Sequence, residues 1–187
     1  MTRKVLLMMA LVAALTLVTG CGGGESVTAP PDVLPTTAAQ IKSFLDERLP
    51  KARRGFMSAD YSMDTGRVLA KYDTVDESFW DEDALIRQMA TGAVDVFAVA
   101  FIPPSVKVVE VVAMVEMTDK YGNSKSEEGV TIALPRGEWE QVKDPAAFKD
   151  RIILDPTILY GIADSYQIHP GIYKNADDFS KTMPSTQ

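Results

Sequence analysis

Apolar and polar positions follow different rhythms along this chain, and each rhythm predicts a different kind of element. Residues 5–18 are an apolar run interrupted only by Thr16. Residues 22–37 have no period: Gly22-Gly23-Gly24 opens the stretch, and Pro30, Pro31 and Pro35 punctuate its second half. A helical rhythm follows. Ile41, Leu45 and Leu49 recur every fourth position with Ala38 and Phe44 beside them, which predicts one apolar helix face. Thr37-Ala38-Ala39-Gln40 is a capping-box pattern, in which hydroxyl and amide side chains each satisfy a free backbone N–H. Pro50 limits this helix. The same spacing returns at Ile86, Met89, Ala90, Ala93, Phe97 and Ala100. Acids from Asp73 to Asp83 precede it, where they favour a helix N-terminus. The β-branched residues from Val94 leave its last part open to an extended conformation, and Pro103-Pro104 ends it in either case.

Period-two alternation marks the strands. Val68, Ala70 and Tyr72 alternate with Arg67, Leu69 and Lys71 in a short strand with one polar edge. Residues 105–118 carry valines on both parities, which predicts a central strand covered on part of each side. Residues 119–123 supply a turn, and Val130, Ile132 and Leu134 alternate in a returning strand. Pro135-Arg136-Gly137 predicts a second turn, and 138–142 a third antiparallel strand. Asp144-Pro145 and Asp155-Pro156 each set a capping acid before a proline, the start of a short helix. From Lys174 the chain is polar and predicted to fray.

These elements imply one α+β domain over 38–174, with an antiparallel sheet of about four strands and helices packed on one face. A disordered tether precedes it and a polar tail, 175–187, follows. The order of a long helix, a hairpin and a strand bearing Gly137 and Trp139 is similar to that of NTF2-like and cystatin-like domains. That resemblance implies a fold and no particular activity.

The amino end carries the most specific signal. Arg3 and Lys4 precede the apolar run, which is shorter than the roughly 20 residues a membrane-spanning helix needs. Basic start, apolar middle and small residues before a cut describe a signal segment, residues 1–20. Val18-Thr19-Gly20-Cys21 resembles the lipobox of bacterial lipoproteins, an aliphatic residue and two small ones before the acylated cysteine. The resemblance implies lipidation at Cys21 and a protein held on the extracytoplasmic face of the cell membrane. Cys21 is the one cysteine in the chain, so no intramolecular disulfide competes for it. Residues 21–37 then read as a leash, about 50 Å long if stretched at roughly 3.3 Å per residue.

Charge and the short list of chemical side chains narrow the function classes. Removing residues 1–20 deletes Arg3 and Lys4 and takes the formal charge from −7 to −9. A phosphate backbone, bound mainly through Lys and Arg, repels such a surface, which excludes nucleic acid as the expected partner. Arg48, Lys51, Arg53 and Arg54 crowd the end of the first helix, where the helix dipole favours cations; anionic lipid is the alternative partner for them.

The single histidine, His169, is the only imidazole for a nucleophile–base pair, and the sequence nominates no partner within about 3 Å of it. One histidine and one cysteine do not supply the ligands of a zinc site. The loop at Asp119 has Ser124 and Val130 where a calcium loop needs glycine and glutamate. Gly22-Gly23-Gly24 follows no strand and opens no helix, so it is no phosphate loop. No cofactor or metal is implied.

Trp139 is expected in the core. Trp80, Tyr160 and His169 are the candidate partner-binding residues. The expected function is a non-enzymatic interaction or ligand-binding module, anchored by lipid, meeting an envelope protein or small ligand. Two alternatives stay open: a carboxylate-based envelope hydrolase, since two acids can converge in a fold, and a structural or exclusion protein that blocks another envelope or phage component.

Overall fold

The computed structural model describes residues 28, 30–74 and 81–176. The expected signal segment (1–20), Cys21, Trp80 and residues 177–187 lie outside the described residues. The first helix, α1 (Ala38–Ala52), starts where the capping box predicted, with the Thr37 hydroxyl accepting from the Gln40 amide and the Gln40 side chain accepting from the Thr37 N–H. It buries Ile41, Leu45 and Leu49. Pro50 does not end it; the last turn continues two residues further, to Ala52.

Strands β1 (Phe56–Ser62) and β2 (Arg67–Asp73) form an antiparallel pair. Helix α2 (Glu82–Ala100) then carries the chain to β3 (Val108–Thr118), which runs parallel to β2. A parallel pair requires such a crossover, because no tight turn can reverse the chain twice. Strands β4 (Ser124–Pro135) and β5 (Ser165–Ile168) complete a sheet of five strands in the order β1-β2-β3-β4-β5. The architecture is α+β as expected, but the sheet is mixed and has five strands rather than about four antiparallel ones. The two added strands are edges with weak patterns. Only Ala59 is fully buried in β1, and β5 has four residues, none fully buried.

The expected strand at 138–142 is a second correction. Residues Arg136–Trp139 form a helical turn, α3. The Arg136 guanidinium donates to the carbonyls of Phe101, Pro103 and Val106, and Trp139 enters the core. Three carbonyls on the α2–β3 connection outweigh a five-residue alternation. Gly137 and Trp139, which carried the likeness to NTF2-like and cystatin-like domains, lie in this turn.

Helices α4 (Pro145–Leu154), α5 (Thr157–Ile162) and α6 (Pro170–Asn175) follow. Asp144 caps α4 as expected, accepting from Ala146 and Ala147. Asp155 accepts from the Thr157 amide at the start of α5. Ala176 is buried, so the ordered chain passes the expected fraying point at Lys174.

The core lies between the helices and the sheet face made by Val68, Ala70, Tyr72, Val109, Val111, Ala113, Val130, Ile132 and Leu134. Within it α2 is apolar for most of its circumference, and its second half stays helical to Ala100 despite Val94, Val96 and Val99. Burial of those valines outweighs their small helix-propensity deficit, about 0.5 kcal/mol each against 1.5 to 3 gained. The opposite sheet face carries the ion pairs Arg67–Glu110 and Lys71–Glu128, with Val112 buried in register between Lys71 and Thr131.

Gly55 tests the junction of α1 and the sheet. Its φ is +73°, and a β-carbon there would meet the Asp73 carbonyl oxygen at 2.1 Å. Gly55→Ala is expected to cost about 3 kcal/mol, from a left-handed backbone penalty plus a backbone clash. Urea denaturation reads this as a lower midpoint at unchanged slope; an unaltered midpoint refutes it.

Candidate functional site

A concave surface that carries an ion pair forms where α4 packs against α2. Along α2, Asp95 is the only charged residue after Arg87, set among Val94, Val96, Phe97 and Ala98. Such an acid needs a partner, because a half-buried carboxylate loses hydration. Lys149, one turn into α4 from Pro145, supplies it with Nζ 2.6 and 2.7 Å from the two Asp95 oxygens. At the C-terminal end of α4, Arg87 donates to the carbonyls of Ile153 and Leu154, both at 3.0 Å. Two polar ties from one face of α2 therefore set the position of α4.

Trp139 closes the floor. Its ring lies 5.9 Å from Phe97, 6.0 Å from Phe101 in a stacked arrangement, and 6.5 Å from Phe148 edge-on. Between this floor and the α4 N-terminus runs a groove of about 490 Å³, lined by Val94, Asp95, Ala98, Trp139, Asp144, Pro145, Ala146 and Lys149, with Thr28 at its rim. A second depression of about 370 Å³ lies across Asp144, against Lys143, Phe148 and Arg151. The first has an aromatic floor, small apolar walls and one ion pair. That composition suits a small apolar or peptide-like group with a polar end. It holds no nucleophile and base in contact, and among the described residues no cluster of three His, Cys, Asp or Glu side chains is arranged for a metal.

The residues singled out from the sequence lie elsewhere. Tyr160 is in the core, its hydroxyl donating to the Ile86 carbonyl at 3.2 Å, and burial pushes its phenol pKa well up, helped by Tyr72 and Tyr166. A buried side chain offers a partner no surface, so Tyr160 acts as a core tie. His169 caps α6: its Nδ1 accepts from the Gly171 amide at 3.1 Å, and Nε2 lies 3.0 Å from Glu127. With Nδ1 accepting, the Nε2–H is the donor to the Glu127 carboxylate. Lys125 beside Glu127, and then His169, hold the Glu127 carboxyl below its usual range. Hydrogen bonds from Asn123 do the same for Asp119, by fixing the 119–123 turn around an ionised acid. A general acid needs the opposite shift. Trp80 and Cys21 lie outside the described residues. Asp95 and Lys149 were missed, although an acid isolated in an apolar helix was the available signal.

Comparison of the chain with protein-family models, with curated proteins and with solved structures gave no match, so the functional argument rests on the residues themselves.

Lys149→Met should destabilise the domain by about 1 kcal/mol, because Asp95 loses its partner while keeping most of its burial. Adding Asp95→Asn should recover part of that loss in a double-mutant cycle; simple additivity would contradict the coupling. Glu127 predicts a pH dependence. Its folded pKa is depressed, so its contribution is present above the ordinary carboxylate value and fades as pH falls through the folded value. Glu127→Gln should therefore be the less stable protein at neutral pH and converge with the parent in acid. Urea midpoints across the acid range check the sign.

Proposed function

We propose that the chain is a lipoprotein, acylated on Cys21 and held on the extracytoplasmic face of the cell membrane. Its acidic domain binds an envelope protein or small ligand through the α2–α4 groove, without chemistry of its own. The observation that carries the binding half is the groove's make-up: an aromatic floor and apolar walls, beside an ion pair whose charges already satisfy each other. Such a surface gives contact area and orientation and no activated group. The Val18-Thr19-Gly20-Cys21 sequence supports the anchoring half. Two or three acyl chains at about 0.8 kcal/mol per buried methylene make retention effectively permanent, where one chain binds marginally. A net negative surface favours a partner that is not itself a polyanion.

Both halves are open to direct measurement. Cys21→Ser should release the protein from membranes or leave it as precursor, and intact mass should show no fatty-acid increment; fractionation like the parent's would refute anchoring. Ala146 is exposed on the groove wall, so Ala146→Arg fills the groove without touching the core. Cross-linked pull-down from native membranes should recover a partner with the parent and lose it with Ala146→Arg at unchanged melting temperature. Equal recovery would move the binding surface elsewhere.

A further inference from the structure

We infer that the depression on the far side of Asp144 is a second binding site, one that takes an acidic peptide segment: an apolar side chain flanked on the same face by two carboxylates. It shares only Asp144 with the α2–α4 groove, and it depends on neither that groove nor an anchor at Cys21.

The chain has 26 acidic and 19 basic residues, so carboxylates outnumber the cations that could meet them. Lys42, Lys51, Arg67, Lys71, Lys125 and Lys149 each hold one. Lys143 and Arg151 do not. Among the described residues neither side chain has a hydrogen bond or an ion pair, and both are exposed. Both also border the same depression of about 370 Å³. The two acids in its lining are engaged elsewhere: Asp144 accepts from the Ala146 and Ala147 amides, and Glu138 accepts from the Gln141 side chain. Two cations are therefore left for an incoming anion.

Helical spacing orders the site. Asp144, Ala147, Phe148 and Arg151 follow the i, i+3, i+4, i+7 pattern of one helix face. Phe148 makes the floor with Val142, which precedes α4, and Ile162, which ends α5; all three are half-buried and packed on the core. Contact of Phe148 with Trp139, edge-on at 6.5 Å, forms that floor before any ligand arrives. An apolar floor between two unpaired cations fits a group that is apolar in the middle and anionic at both ends. From Asp144 to Arg151 the axial distance is about 10 Å, and Lys143 lies one residue further. In an extended peptide every second side chain shares a face, so an acid–apolar–acid pattern on that face covers about 13 Å. Flexible lysine and arginine side chains close the small difference. Arg151 offers a planar two-pronged donor and Lys143 a point charge. A longer acidic run is disfavoured, because the chain's formal charge of −7 repels it.

The test uses full-length protein in phosphatidylcholine nanodiscs, titrated calorimetrically with an acetylated and amidated pentapeptide, glutamate-serine-leucine-serine-glutamate. Lys143→Gln and Arg151→Gln should each weaken binding by about threefold to fivefold at unchanged melting temperature, the range of one exposed ion pair. Parent affinity should fall as salt rises beyond about 0.1 M, where charges are screened over about 10 Å, and the double variant should show no such dependence. Ala147 is exposed, and Ala147→Glu sets an acid four residues before Arg151, which supplies the missing carboxylate in cis. That variant should lose peptide binding without losing stability. Peptides with lysine in place of glutamate, or serine in place of leucine, should not bind. Equal affinity of the parent and the double variant, or of the peptide and its lysine version, overturns the inference. Binding of dodecanoate without binding of the peptide overturns the peptide as occupant. Ala146→Arg should keep peptide binding while it removes the partner of the α2–α4 groove, so the two sites fail separately.

Discussion

A helix that is buried on most of its circumference constrains everything around it, and α2 is such a helix. Eleven of its nineteen residues are buried. Each large apolar side chain among them contributes about 1.5 to 3 kcal/mol only if some other element covers it. The sheet covers one side, and α1, α4 and α6 cover the rest. Its few polar handles decide where each cover sits. Tyr72, before α2 in sequence, and Tyr160, after it, donate to the carbonyls of Met89 and Ile86. Arg87 holds the C-terminal end of α4, and Asp95 holds its middle through Lys149. Gly92 lets Arg53 pass, since a β-carbon there would lie 2.9 Å from the guanidinium carbon.

The groove is a by-product of that arrangement. Where α4 meets α2, the small residues Ala98 and Ala146 leave space above Trp139, and the Lys149–Asp95 pair ties the two helices together at its edge. Polar residues that fix a helix position also leave a surface that a partner can use.

Long, strongly periodic segments were legible in advance. The capping box at Thr37, the apolar face of α1, the start of α2, the paired strands β3 and β4, and the acid at Asp144 all appear where local chemistry placed them. The misses share a cause. Strands β1 and β5 bury little and are held by backbone pairing to a neighbour, which leaves almost no trace in side-chain pattern. The alternation at 138–142 was real, but Arg136 finds three carbonyls that lie about thirty residues away in sequence. Tyr160 and His169 were noticed as unusual residue types, and each is spent on ordering the fold.

By itself the chain's order of residues determined an apolar run before a lone cysteine, a proline-marked stretch after it, an acidic α+β body and its main helices and hairpin. Those features follow from contacts between residues a few positions apart, or from composition. Only the tertiary structure decided the parallel register of β2 on β3, the helical turn at Trp139, and the meeting of Asp95 with Lys149 across fifty-four residues. Contacts of that range are chosen by competition among all surfaces that must be buried together, and no local pattern records which surface wins.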